Sequence, residues 1–456
     1  NGSGKSLLVD ILTGAHPLWG TEVKYDFTPS VHKKVSENIK TVTFRDAYGN
    51  ATGTYYQQRW NQWDVGDSNT VEEVLSNAAA SKDISEELNR ILGLEDLLHK
   101  KMIMLSSGEL RKVQLAEVLQ CEPRLVILDN PYIGLDANAR QQVSEFLARV
   151  SQMGKTMIIV VVSRIKDIPY FINKVLPVEN RKVLRQCTKQ LPGGFQGGRI
   201  HPDHHVSGKV CDREKTDESI RKIFDLPDAA TGTDDEIIRC EDVKISYGNR
   251  TILKNFNWSV KRGEHWALSG ENGAGKSTLL SLVCADNPQA YACNISLFGI
   301  KRGCGESIWD IKKKIGYVSP EMYRSYKKNL PAVDIVASGL HDSVGLYKRV
   351  TDEEREKVLF WMDIFGVGSL AQRPYLQLSS GEQRMLLLVR AFVKDPELLV
   401  LDEPFHGLDE HRRMLARAVI DAFCKRKGKT LIMVTHYEEE YPASIDHKLK
   451  LKKIID

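Results

Sequence analysis

Near the middle of the chain, Ser269-Gly270-Glu271-Asn272-Gly273-Ala274-Gly275-Lys276-Ser277-Thr278 combines the residue types needed to hold a polyphosphate. Glycines let the backbone turn tightly, so that successive N–H groups converge on phosphate oxygens. The lysine reaches the terminal phosphates, and the Ser277 hydroxyl is placed for Mg²⁺. The chain opens on the second half of the same pattern, Asn1-Gly2-Ser3-Gly4-Lys5-Ser6, with Ser6 where Ser277 stands. Further along, Leu398-Leu399-Val400-Leu401 runs into Asp402-Glu403. An apolar strand buried in a parallel sheet would deliver Asp402 to hold Mg²⁺, directly or through water. Glu403, at the strand end, would polarise an attacking water. The predicted chemistry is phosphoanhydride binding and hydrolysis.

Three kinds of element must position these residues. His265-Trp266-Ala267-Leu268 reads as a buried strand before the complete loop and Leu279-Leu280-Ser281-Leu282 as a helix after it, which is the context such a loop requires. Thr430-Leu431-Ile432-Met433-Val434 is a second apolar strand, leading to Thr435-His436. The half loop at Asn1 is followed by the helix start Leu7-Leu8-Val9. Its own strand is expected upstream of residue 1, together with any targeting segment. That expectation leaves the compartment open: soluble or peripheral to a membrane, cytoplasmic or organellar. It also predicts a gap in the first sheet, with unpaired backbone groups.

The motifs occur twice, in one order and at a nearly constant offset. Leu105-Ser106-Ser107-Gly108-Glu109 returns as Leu378-Ser379-Ser380-Gly381-Glu382. Leu125-Val126-Ile127-Leu128-Asp129 returns as Leu398-Leu399-Val400-Leu401-Asp402, and Gly134-Leu135-Asp136 as Gly407-Leu408-Asp409. Such spacing predicts a duplicated domain, and 456 residues accommodate two. The expected organisation is a first domain over residues 1–187, a linker over 188–235 and a second domain over 236–456. The linker carries Gly193-Gly194, Gly197-Gly198 and Gly232 and one short helical candidate over 218–224. Its His201, Asp203, His204, His205 and Cys211 could be drawn as a metal site, but a Gly-rich polar segment reads as linker.

With 42% hydrophobic and 27% charged residues the chain can bury sizeable cores. The longest apolar run, residues 157–162, falls far short of the ~20 residues of a membrane helix, so any span at a membrane must come from another chain. A net charge of +4 gives no strong nucleic-acid signal. Eight cysteines without a C-x-x-C pair indicate neither a zinc ribbon nor an iron–sulfur cluster.

Taken in order and seen twice, these motifs resemble ABC-type ATPase domains. The second half is most similar to the ModF-type tandem ATPases, also called photorepair-protein-like. Gly263-Glu264-His265-Trp266, Leu297-Phe298-Gly299, Ile308-Trp309-Asp310-Ile311-Lys312 and Ile315-Gly316-Tyr317-Val318-Ser319 carry that likeness. The resemblance implies an α/β fold of two tandem P-loop NTPase domains. Each would have a mainly parallel core, an antiparallel β subdomain and a helical signature subdomain. It implies ATP and Mg²⁺ as ligands, with Asp402 and Asp129 beside Ser277 and Ser6 at the metal. His436 is expected at the γ-phosphate, Tyr247 stacked on adenine, and Gln57 joining the core to the helical insertion. Ser379 and Gly381, like Ser106 and Gly108, would start a helix whose N-terminus faces the γ-phosphate held by the other domain. Two ATP molecules would thus be sandwiched between domains paired within one chain.

The first half departs from the pattern where hydrolysis is concerned. Asn130 stands at the position of Glu403, and Arg164 at that of His436. An amide does not act as a base, and a guanidinium neither deprotonates nor accepts a hydrogen bond. The second half, for its part, follows Ile315-Gly316-Tyr317-Val318 with Ser319-Pro320-Glu321 and has no glutamine there. In transporters that segment senses the membrane partner. The leading expectation is an ATP-hydrolysing tandem protein, active in its second site, energising a separate membrane permease. The alternatives are an ABC protein acting on the ribosome or nucleic acid, disfavoured by the short and mildly charged linker, and a nucleotide-sensing regulator.

Overall fold

The computed structural model describes residues 4–43, 69–78, 93–102, 105, 107–132, 135, 137–163, 165–179, 181–190, 194–196, 218, 220–226, 235–247, 250–271, 273–326 and 328–454. Two compact units divide the chain, Asn1–His204 and His205–Asp456.

In the first unit, three parallel strands, β1 (Ile39–Thr43), β2 (Leu125–Asp129) and β3 (Met157–Val161), lie in that order. Around them run α1 (Lys5–Leu12), α2 (Ser107–Leu119) and α3 (Ala137–Gln152). Alternate residues of β2, Val126 and Leu128, join Leu110, Val113, Val143 and Phe146 in one core.

The second unit carries a 3₁₀ turn, Lys222–Asp225, that buries Ile223 in the core and precedes β4 (Glu236–Tyr247) and β5 (Arg250–Lys261), a long antiparallel hairpin extended by β7 (Asn294–Leu297) and β8 (Ile300–Lys301). Its central sheet is fully parallel, in the order β9 (Ile315–Val318), β10 (Leu398–Asp402), β11 (Thr430–Val434), β6 (His265–Gly270), β12 (His447–Leu451). The period of two divides the apolar runs between its faces. Leu399, Leu401, Leu431 and Met433 pack on the helical side. Leu398, Val400, Ile432 and Val434 pack towards the antiparallel sheet. This burial on both faces is why β10 and β11 read as unbroken apolar stretches. On the helical side, α7 (Asp352–Ile364), α8 (Ser380–Phe392) and α9 (Glu410–Cys424) meet through Trp361, Phe365, Phe392 and Phe423, and α6 (Ala332–Ala337) is buried in the same core. The edge strand β12 alternates exposed Lys448 and Lys450 with Leu449 and Leu451, a pattern that discourages pairing with another chain.

Corresponding strands differ in burial. All five residues of β11 are buried between β10 and β6. In β3, Met157 is 69% exposed and the other four are half-buried, with β2 as the paired neighbour among the described residues.

One close approach locks helix α8 onto the sheet. A Cβ on Gly316 would lie 2.1 Å from the Ala391 carbonyl oxygen and 2.7 Å from Pro396 Cγ. Overpacking of this kind costs about 1–3 kcal/mol. Gly316→Ala is therefore expected to lower the urea midpoint of the second unit's transition, and an unchanged midpoint would contradict the packing.

Candidate nucleotide-binding and hydrolysis site

Sites in open parallel sheets form at the carboxyl ends of the strands, and three of those ends carry the expected residues. Strand β6 ends in the glycine loop. Gly270, Gly273 and Gly275 have φ of 150°, 80° and 96°, conformations open to glycine at little cost. A Cβ on Gly270 would meet the Leu451 carbonyl oxygen at 2.6 Å, and one on Gly275 would meet Ile252 at 2.9 Å. The cradle exists because those side chains are absent. Gly275 caps α4 (Lys276–Val283), whose first-turn N–H groups have no intrahelical acceptor. Lys276 Nζ donates to the carbonyls of Gly270 (2.5 Å) and Glu271 (3.0 Å), holding the ammonium over the loop. Ser277 is exposed, whereas Ala274 and Thr278 are buried under it. Asn272 lies outside the described residues.

The first unit repeats this cap. Gly4 has φ 100° and precedes α1, and Ser6 is exposed in its first turn. Asn1, Gly2 and Ser3 lie outside the described residues, as do Gln57, Ser106 and Arg164. Gly108 falls within the first turn of α2.

The end of β10 places Asp402 half-buried and turns sharply at Glu403, whose φ is 49°. A non-glycine residue held there stores about 1 kcal/mol or more. The Glu403 N–H donates to the Val434 carbonyl at 2.9 Å, pinning the turn to β11. The carboxylate Oε1 then sits 2.9 Å from His436 Nε2, with both side chains mostly buried. Burial opposes ionisation of Glu403. The hydrogen bond from His436, the nearby His406 and the Lys276 charge outweigh it and hold the carboxyl down at about 2. Glu403 is thus an anion above that pH and able to accept a hydrogen bond from water.

Asn130 makes the same turn, with φ 51° and its N–H donating to the Val161 carbonyl at 2.8 Å. Its side chain does something different: Nδ2 donates to Asp129 Oδ1 at 2.7 Å. Where the second unit presents a base, the first folds an amide back onto its own strand-end carboxylate.

Helix α8 starts in a capping box. Ser379 Oγ accepts from the Glu382 N–H, and Glu382 Oε2 accepts from the Ser379 N–H at 2.9 Å. Gly381 is buried in its first turn. From the same helix Arg384 lies over the Tyr323 ring at 4.5 Å and donates to the His406 carbonyl at 2.8 Å, in the loop that follows Glu403. Tyr247 ends β4 half-buried, its hydroxyl accepting from Asn287 Nδ2 at 2.9 Å. Burial pushes that phenol up to about 12, so the ring stays neutral.

Sequence reasoning passed over Arg384, Arg413 and Glu440. Glu438-Glu439-Glu440 carries no pattern to separate its members, yet Glu438 and Glu439 are exposed and Glu440 is buried. Among the described residues no cluster of His, Cys, Asp and Glu could hold a metal alone, and no helix is long and apolar enough to cross a membrane. The His201–His205 stretch and Cys211 lie outside those residues.

Comparison with known proteins agrees with this geometry. The sequence profile of the ABC transporter family matches residues 1–133 and 253–406, covering both loops and both strand-end carboxylates. The chain is 36% identical to the ABC transporter ATP-binding protein ModF of Escherichia coli K12, over 99% of the chain and 89% of that protein. It is 29% identical to an uncharacterized ABC transporter ATP-binding protein of Schizosaccharomyces pombe, over 98% of the chain and 90% of that protein. An archaeal ribosome recycling factor, solved with a ribosomal stalk protein, matches at a TM-score of 0.52 and 20% identity, over 99% of this chain and 81% of that one. That likeness concerns the fold.

Proposed function

Because the chain belongs to the ABC transporter family and carries the ATP-binding unit twice, we propose that it hydrolyses ATP at the second unit's site and holds ATP at the first. The observation that carries this reading is the contrast at one turn. Glu403 is a buried anion paired with His436, whereas Asn130 is an amide bonded to Asp129.

In the second unit the loop from Gly270 to Thr278 binds the phosphates, and Lys276 faces the β and γ groups. Glu403 accepts a hydrogen bond from the attacking water and takes its proton as the new bond to the γ-phosphorus forms and the bond to the β–γ bridging oxygen breaks, ADP being the leaving group. His436, already donating to Glu403, fixes the carboxylate's direction and stands ready to contact the γ-phosphate. Ser277 and Asp402 fit Mg²⁺, being a hydroxyl in the first turn of α4 and a carboxylate at the end of β10, two strands from β6; Ser6 and Asp129 fit it in the first unit. When bound, Mg²⁺ neutralises charge on the phosphate oxygens. In the first unit the Asn130 amide already occupies one Asp129 oxygen, which permits nucleotide binding but supplies no base.

We further propose that each ATP is completed by the opposite unit's signature helix, Ser379 and Gly381 for the first site, Ser106 and Gly108 for the second. Closure would then couple the two sites, and Tyr247 would stack on the adenine. The partner fitting this reading is a separate membrane permease; the E. coli relative is named an ABC transporter ATP-binding protein. Affinity purification from detergent-solubilised cells is expected to recover a membrane protein. Recovery of ribosomes instead would replace the transport reading with the translational one.

Asn130→Ala tests the asymmetry from its silent side. Since no base is lost, ATP turnover by the full chain is expected to stay within about twofold of wild type. A tenfold fall would show that the first site turns over as well.

A further inference from the structure

Behind His436 lies an arrangement that touches no reacting atom. The Thr435 hydroxyl donates to Oε2 of Glu440, a carboxylate only 5% exposed. The same hydroxyl accepts from the Tyr437 N–H at 3.3 Å, so Thr435 braces the backbone on both sides of His436. On α9, Arg413 Nη2 donates to the Leu408 carbonyl at 3.1 Å, and its Nε lies 3.9 Å from Glu440 Oε1. A buried carboxylate is costly unless paired and hydrogen-bonded, and Glu440 has both kinds of partner. The chain 408–413–440–435 therefore joins the loop after Glu403 to the residue preceding the histidine.

The first unit keeps half of this. Arg140 Nε donates to the Leu135 carbonyl at 3.0 Å, and its Nη1 lies 3.8 Å from Asp167 Oδ1. Leu135 and Arg140 occupy the repeat positions of Leu408 and Arg413. The arginine–carbonyl–carboxylate clamp is thus present in both units, although the Glu403–His436 pair belongs to the second alone. Its common task is to hold the loop; in the second unit the carboxylate additionally reaches Thr435.

We infer that Glu440 is a positioning residue for hydrolysis, acting through Thr435 on His436 and through Arg413 on the loop from Gly407 to Asp409. When that loop moves, the histidine moves with it, and the hydrogen bond to Glu403 is made or lost. The inference rests on the second unit's site being the hydrolytic one.

The test is steady-state Mg-ATP hydrolysis by the full chain carrying Thr435→Ser, Thr435→Val, Glu440→Gln or, as reference, Glu403→Gln. Thr435→Val is isosteric and leaves every charge in place, so it decides the matter even if the glutamate variant fails to fold. It is expected to lower kcat about tenfold or more with KM within about twofold, because displacements of a fraction of an ångström near reacting groups are costly. Thr435→Ser keeps the hydroxyl and should restore the wild-type rate, a rescue that a purely structural role would not require. Glu440→Gln should lower kcat in the same direction. Equal kcat for the serine and valine variants, or a loss confined to KM, overturns the inference. If Glu403→Gln abolishes turnover while Thr435→Val turns over normally, the inference alone falls. If Glu403→Gln turns over normally, the underlying site assignment falls with it.

Discussion

Replacing Glu403 with Gln in the full chain is expected to remove nearly all ATP turnover, a fall of about 10²–10⁴-fold, and to leave ATP binding intact. Glutamine is nearly isosteric and can still accept the His436 hydrogen bond that now reaches Oε1 at 2.9 Å. The turn itself is set by the backbone, through φ of 49° and the bond to the Val434 carbonyl, and does not depend on the side-chain charge. What disappears is the only function an amide cannot provide, acceptance of the water's proton. Because the carboxyl is held down at about 2, lowering pH to 5 should not mimic the substitution. The acid limb of the rate profile must belong to other groups. Half the wild-type rate in Glu403→Gln would mean that the first site hydrolyses too.

The second large effect is on binding. Lys276→Ala is expected to abolish high-affinity Mg-ATP binding at the second site, so that stoichiometry falls from two nucleotides per chain to one. The lysine supplies a positive charge at the terminal phosphates, and charge-assisted hydrogen bonds contribute about 1.5–3 kcal/mol each, or roughly 10–150-fold in affinity. It also fastens the Gly270 and Glu271 carbonyls at 2.5 and 3.0 Å, so the loop that cradles the phosphates loses its tie. Calorimetric titration in a Glu403→Gln background, where turnover does not consume the titrant, reads the stoichiometry directly. Two sites of unchanged affinity would sink the assignment of this loop.

The legibility of these features followed the range of the forces behind them. Glycines at Gly270, Gly273 and Gly275, a lysine and a hydroxyl are local requirements of phosphate binding, so the loop could be read from spacing. Strands β10 and β11 could be read because burial on both faces demands unbroken apolar runs. The contact between Glu403 and His436 could not. It depends on β10 and β11 being neighbours and on a left-handed turn that pins one to the other. The fold-back of Asn130 onto Asp129 is local, yet a rotamer choice leaves no mark in residue type. The burial of Glu440 beside two exposed glutamates depends on Arg413 and Thr435 arriving from other elements. The segment without the glutamine forms helix α5 (Pro320–Ser325). Ser319 accepts from the Met322 N–H at 3.3 Å, and Pro320 fills the first helical position.

The central claim is that the two sites differ in fate, and nucleotide occupancy tests it most directly. The full chain, saturated with Mg-ATP and passed rapidly through a desalting column, would be quenched at intervals and its bound nucleotide separated into ATP and ADP. The expected result is one ATP per chain that persists well beyond the turnover time, with the second nucleotide recovered as ADP or already released. Two ADP per chain, or bound ATP decaying in full at the steady-state rate, would contradict the assignment of hydrolysis to the second unit alone.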